Sequence, residues 1–545
     1  MRLVEIRDLD GPNLFMLRPT IKIELAAAAD LTADAVAALE ARLEPLGISD
    51  EGWAGGVAEL GGVLAEAVSA LHRRLGVGLP ETTAMALEEP EHLAVAFSWT
   101  RRAFALELAG VVAAWAVGEA VDLAAAEARL RLLLASPADA DDVPTWVEDA
   151  ARRMAIVGVT GTNGKTTTTR MIAHVLRRAG QRVGWSSSSG VYVDGEPVIA
   201  GDYSGPVGAR RVLAEPGLDT AVLETARGGI LLRGLGYASN DVSVFLNVSS
   251  DHLGLQGVHT LDGLARVKAV VAQVTGPAGY AVLNADDAHV RGVAGGLRAS
   301  VFWVTQHANH PTVMAHVGTG GRALFVRDGS VVEALGAQEL PLLDVADIPI
   351  TFGGRARHMI ENALCAAAAC LALGIPAERI RDGLMSFRPS AEDNSGRLNV
   401  YDVGGVTVIV DYAHNEAGLA HLLEFARTFG GEGTRLIAII GTAGDRTDDA
   451  LRALGQLAAS EADHVIVKET TRYLRGRGSP AEMTQRFEDG IAEGGGTPYE
   501  IAAGELAGFE AGLAGAIAGD VIAMMCIEEG PEVQRRLQER GRSLG

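Results

Sequence analysis

Ala155-Ile-Val-Gly-Val-Thr-Gly-Thr-Asn-Gly-Lys-Thr-Thr-Thr168 is the stretch on which the reading of this chain turns. Its first six residues are an apolar, valine-rich run that predicts a short buried strand. A glycine-bearing turn follows, and a helix is expected over Thr166–Ala179. Strand, turn and helix in that order are the setting of a phosphate loop. Gly161 and Gly164 allow close backbone approach without a Cβ in the way. The turn and helix start, Gly161, Thr162, Asn163, Gly164, Lys165, Thr166 and Thr167, then present N–H groups and the positive end of the helix dipole to phosphates. Lys165 adds an ammonium for the outer phosphates, and Thr166 a hydroxyl for Mg²⁺. The common G-x-x-x-x-G-K spacing asks for glycine at 159, where this chain has Val159, so the loop is a variant, T-G-T-N-G-K-T. ATP or a close analogue is the expected ligand.

Outward from the loop the strand–helix alternation continues. Thr220–Glu224, Val242–Val248 and Tyr280–Asn284 read as further buried strands, which implies a mostly parallel sheet covered on both faces over residues 151–390. A third block, 391–545, repeats the pattern with strands at Val406–Asp411, Thr434–Ile440, His464–Lys468 and Val521–Ile527, as in a smaller doubly wound domain. Ser386–Ser395 is the expected hinge. Residues 1–150 read as a small α+β domain, with strands at Arg2–Ile6 and Ile21–Leu25 and helices near Thr32–Leu46, Val57–Leu75 and Arg101–Val121. The acidic, proline-flanked Pro137–Pro144 reads as its linker.

Bulk properties narrow the class. A chain of 545 residues accommodates about three to four domains. Hydrophobic residues make up 48% of it, enough for several cores. A formal charge of −22 argues against nucleic acid as a partner, since phosphate neutralisation requires a basic surface. No uninterrupted run of about 20 apolar residues predicts a membrane span. The start of the chain lacks the apolar core of a signal peptide. Cys365, Cys370 and Cys526 are too few for a disulfide framework, and a cytoplasmic location is expected.

Three segments carry chemistry beyond the loop. Glu224 ends a buried strand, which places a carboxylate at the carboxyl edge of the sheet, where a Mg²⁺ ligand belongs. Asn247-Val-Ser-Ser-Asp-His252-Leu-Gly follows the next strand and brings an aspartate and a histidine to the same edge. Lys268 lies in the helical stretch Leu264–Ala272 and, taken alone, is a helix-surface lysine.

Together these strings form a larger pattern: T-G-T-N-G-K-T; E-T-A-R-G-G around Glu224; N-V-S-S-D-H-L-G; Leu283-Asn-Ala-Asp-Asp287; His358-Met-Ile-Glu-Asn362; Gly396-Arg397; and Asp411-Tyr-Ala-His414-Asn. Seven motifs in this order resemble the Mur ligase superfamily, and within it the Mur-like module of the cyanophycin synthetase type. The likeness runs from about 153 to 530. The first block resembles, more faintly, the N-terminal domain of that type, while the ATP-grasp domain that normally lies between the two is absent. The resemblance implies a Mur ligase-type central P-loop ATPase domain followed by a Rossmann-like domain.

It also implies roles. Thr166, Glu224, His252 and a carbamylated Lys268 hold two Mg²⁺ ions, and Lys165, Glu224, His252 and Lys268 form the catalytic set. Asn362 faces adenine, Arg397 the phosphates and Asp411 the ribose, with His414 in the same strand-end motif. Arg227, Asp445, Arg446, Lys468, Glu469 and Arg472 are candidate substrate contacts. The implied activity is ADP-forming ligation of an amine to a peptide-like or amino-acid-derived carboxylate through an acyl phosphate. A folylpolyglutamate synthase-like glutamate ligase and a catalytically reduced partner of an ATP-grasp enzyme are the alternatives. The resemblance also implies a dimer or tetramer.

Overall fold

The computed structural model describes residues 1–27, 32–48, 57–139, 141–251, 253–431 and 433–545, arranged around three sheets. Strand Ala155–Thr160 lies between Thr220–Glu224 and Asn240–Phe245, parallel to both, in an eleven-stranded sheet. In register, Val159 faces Glu224, while Thr160 faces Phe245 on the other side. The three strands therefore end on one rim. From Ala155–Thr160 the chain builds the sheet first to one side and then to the other, so the phosphate loop stands where ligands bind in doubly wound sheets.

The six strands from Thr220–Glu224 to Arg322–Arg327 that flank and include the centre run parallel, as expected from their helical connections. Antiparallel strands extend both edges. Gly190–Val193 and Glu196–Ala200 finish one side, and Ser330–Leu335 and Gln338–Asp344 the other. Helix Lys165–Arg178 buries Met171, Ile172, Val175 and Leu176 against one face together with helix Arg357–Ala372. Helices Pro206–Leu213 and Leu261–Gln273 cover the opposite face.

Arg2–Leu9, Thr20–Ala26, His92–Ser98 and Thr82–Ala86 make a separate antiparallel sheet. Helix Val57–Leu75 packs on it through Leu60, Leu64, Val68 and Leu71, the one-face spacing of an amphipathic helix. This unit touches the middle sheet's helices closely. A Cβ on Gly11 would lie 1.8 Å from the Leu235 carbonyl oxygen, and Leu235 N–H donates to Pro12 O at 2.7 Å. The third sheet has seven strands. Tyr499–Ala502, His464–Lys468, Leu436–Ile440, Val521–Met525 and Val406–Asp411 run parallel, and Asn399–Val403 pairs antiparallel with the last of these.

One expectation changes. The strand expected over Val242–Val248 stops at Phe245, because the Asn247 carbonyl accepts from Thr162 N–H at 2.9 Å and is spent on the phosphate loop. The segment expected as a hinge, Ser386–Ser395, meets the phosphate-loop helix near its end. Buried Asn394, in the short helix Ala391–Asn394, donates to Thr167 Oγ1 at 3.3 Å and to Arg397 O at 3.2 Å. Among the described residues no helix is long and apolar enough to cross a membrane.

Candidate active site

The phosphate loop is held from below. Gly161 and Gly164 have φ of +155° and +85°, conformations that favour glycine. A Cβ on Gly164 would come within 2.2 Å of Asn362 Oδ1, so Asn362 packs against the loop itself. Asn247 grips both sides of Asn163, accepting from its N–H at 2.9 Å and donating to its carbonyl at 3.3 Å. Asn247 also donates to Glu361 at 2.9 Å. Burial, with Asp286 and Asp287 nearby, pushes the Glu361 carboxyl up to about 7 against the opposing bond from Asn247.

Lys165 and Lys268 converge on this loop from different helices. Lys165 Nζ donates to Thr162 O at 2.7 Å, and Lys268 Nζ donates to Gly161 O at 2.7 Å. Burial lowers both amines, Lys268 well below the usual lysine range, where the charge of Lys165 adds to the effect. Thr166 Oγ1 sits 2.9 Å from Glu224 Oε2 and 3.0 Å from Ser188 Oγ. These hard oxygen donors suit Mg²⁺. His252 lies outside the described residues, and among those described no three His, Cys, Asp or Glu side chains gather as a ready metal cluster.

The third sheet closes the site. Arg397 reaches Ser188 Oγ at 3.2 Å and Thr166 Oγ1 at 3.4 Å, with its guanidinium 4.1 Å from the Tyr412 ring centroid. Asp411 accepts from Leu398 N–H at 2.7 Å, and its carboxyl is raised by burial. Asn415 and Asn163 exchange carboxamide hydrogen bonds at 3.1 and 3.2 Å. Between these bodies lies a cavity of about 240 Å³. The loop, Glu224, Arg227, Lys268 and Arg446 line one part of it, and Asn362, Arg397, Asp411 and His414 also border it.

His414 and Arg446 bridge to Asp251, at 3.7 and 3.0 Å respectively. Asp445 pairs with Arg475 at 2.7 Å and borders an adjoining cleft with Asp251, His414 and Arg446. Lys468 requires a correction as a substrate contact. Its fully buried amine donates to the equally buried Glu505 at 2.5 Å, because the last residue of its strand turns toward helix Glu505–Gly515. Glu469 and Arg472 do not border the cavity either; Arg472 is exposed and donates to Glu528 O at 3.0 Å.

Sequence reasoning missed several cavity residues. His358 and His421 stack with centroids 5.2 Å apart and planes 5° from parallel, and burial, with His421 beside it, pushes His358 down to about 3. Ser188, Asp202, Tyr412 and Arg475 also line the cavity. None stands in a recurrent spacing that would mark it, although His358 opens one quoted motif and Tyr412 lies within another.

Residues 159–370 match the Mur ligase middle domain, and residues 396–526 match the Mur ligase glutamate ligase domain. Cyanophycin synthetase of Synechocystis sp. is 42% identical over 350 residues, 64% of this chain and 40% of that protein. The chain thus spans about two-fifths of the length of the cyanophycin synthetases it matches. UDP-N-acetylmuramyl-tripeptide synthetase of Deinococcus radiodurans is 32% identical over 346 residues, 61% of this chain and 64% of that one. Among solved structures, E. coli FolC in complex with DHPP and ADP superposes with a TM-score of 0.52 at 20% identity, covering 71% of this chain and 89% of FolC. With the middle and glutamate ligase domains matched in order and at the positions where the cavity lies, the chain belongs to the Mur ligase family.

Proposed function

We propose that this chain is an ADP-forming ligase that joins an amine to a carboxylate through an acyl phosphate. The observation that carries the reading is the convergence of Lys165, Lys268 and the Thr166–Glu224 pair on one loop, with Arg397 brought over it from the third sheet. ADP in the FolC complex and the cyanophycin synthetase relatives support it. The proposed units are 1–150, 151–390 and 391–545.

In this reading the triphosphate lies along Gly161–Thr167. The base end faces Asn362 and the stacked His358 and His421, and the ribose faces Asp411. A substrate carboxylate oxygen attacks the γ-phosphorus, the bond to the ADP oxygen breaks, and an acyl phosphate forms. Lys165 and Arg397 offset the repulsion between the two anions. Thr166, Glu224, Lys268 and His252 would hold Mg²⁺, which when bound adds charge stabilisation to the transferring group. A neutral Lys268 amine, as its burial favours, is the form able to add CO₂ and become a carbamate ligand. The amine then attacks the acyl carbon, loses a proton and expels phosphate, leaving the amide. Arg227, Asp445 and Arg446 would orient these substrates. Closure of the third body over the site would exclude the water that hydrolyses the acyl phosphate.

Screening phosphate release over pairs of carboxylates and amines, with product masses, tests the reading. Release that requires both partners, together with a product of their summed mass less water, supports it. A glutamate-adding enzyme would show itself by product mass in the same screen. Nucleotide hydrolysis indifferent to both partners would overturn it.

A further inference from the structure

The N-terminal sheet meets the helix that carries Lys268 through the Glu88 carboxylate. Glu88 stands in the turn joining strands Thr82–Ala86 and His92–Ser98. Its Oε2 accepts from His259 N–H at 2.7 Å and from Thr260 N–H at 2.9 Å, and its Oε1 accepts from Thr260 Oγ1 at 2.8 Å and Arg266 Nη2 at 2.7 Å. His259 and Thr260 lead into helix Leu261–Gln273, which Thr260 caps, and the helix carries both Arg266 and Lys268. Gly263 leaves room for this approach, since a Cβ there would lie 2.0 Å from Glu88 Oε1. Beside it Glu89 pairs with His259 at 2.6 Å. A carboxylate at a helix N-terminus also complements the dipole.

Burial on its own would raise the Glu88 carboxyl, but the N–H groups of His259 and Thr260, the Thr260 hydroxyl and Arg266 outweigh it and hold the carboxyl below the usual range. The carboxylate is therefore charged near neutrality, and four donors from the middle unit converge on it. At the far end of the same connection, Lys268 Nζ meets Gly161 O.

We propose that Glu88 is a positioning residue through which the N-terminal unit sets the placement of helix Leu261–Gln273, and hence of the Lys268 amine against the phosphate loop. The kinetic part of this rests on the ligase reading; the structural part does not. Small misplacements of a reacting group cost rate steeply, on the order of 10²-fold for about 1 Å.

The test compares Glu88→Ala, Glu88→Gln and Gly263→Ala in the full chain, by hydrogen exchange without substrate and by steady-state kinetics. Glu88→Ala is expected to speed exchange of amides 259–264 about tenfold and to lower kcat about tenfold, with nucleotide KM within about twofold. Glu88→Gln, which keeps one acceptor oxygen, should recover much of both losses, and Gly263→Ala should resemble Glu88→Ala. A variant that merely unfolds would instead lose active protein without a localised exchange change. Unaltered exchange in Glu88→Ala overturns the proposal, and so does faster exchange with unaltered kcat. If the wild-type chain turns over no substrate pair, the ligase reading fails, while exchange in the three variants still decides whether Glu88 holds the Lys268 helix.

Discussion

Asn247 and Glu361 are joined by a 2.9 Å hydrogen bond beneath the phosphate loop, and the same Asn247 carboxamide holds both backbone groups of Asn163. Glu361 titrates near 7 in the folded chain and near the ordinary carboxylate value when unfolded. The folded state binds more protons than the unfolded state between those values, so stability falls as pH rises through that window. Glu361→Gln should flatten this slope in denaturant titrations run from pH 4.5 to 7.5. A variant whose stability falls with pH as steeply as wild type would contradict the assignment.

Lys268→Ala removes the amine that meets Gly161 O. Turnover is expected to drop by about 10²-fold or more, with bicarbonate having little effect on the variant. Phosphate-release assays with and without added bicarbonate measure it. Full activity would show that Lys268 is not a carbamate bridge.

Gly164 combines φ of +85° with Asn362 lying where a Cβ would go. Gly164→Ala should add roughly 1–2 kcal/mol of backbone strain and displace the Asn362 amide. Titration with a non-hydrolysable ATP analogue should show affinity lowered about tenfold or more. Unchanged affinity would mean the nucleotide binds elsewhere.

Arg397 depends on planarity, lying over Tyr412 while it reaches Thr166 and Ser188. Lysine keeps the charge and loses the fork and the stacking. Arg397→Lys should lower kcat/KM about tenfold with the fold intact, checked by steady-state kinetics beside thermal unfolding.

Lys468 and Glu505 form a pair with no solvent exposure, and Glu505 also accepts from the backbone of Ile527 and Glu529. Lys468→Met alone strands a buried carboxylate and should cost about 3–5 kcal/mol, whereas Lys468→Met with Glu505→Gln should recover part of the loss. Guanidinium titrations of the single and double variants decide this.

The sequence made the strand and loop at Ala155–Thr168 legible because hydrophobic pattern, glycines and lysine agree there at every level. Glu224 could be placed from its strand end, and Asn362, Arg397 and Asp411 from the resemblance to the Mur ligase superfamily; all border one cavity. Lys468 could not, because alternation along a strand gives two faces and nothing local says which one a helix will cover. The His358–His421 stack and the Glu88 contact were invisible for a related reason. Each joins residues far apart in the chain, and geometry of that kind is set by packing between units, which no local spacing encodes.

The outermost strands of the eleven-stranded sheet, Glu196–Ala200 and Gln338–Asp344, each carry a proline and a glutamate, Pro197 with Glu196 and Pro341 with Glu339. A proline cannot donate to a further ladder, and a carboxylate resists desolvation at such an edge. Neither flank of this large sheet is a ready template for aggregation. Copies of the chain that associate through this body must do so by matching side-chain surfaces, not by extending the sheet from one molecule into the next.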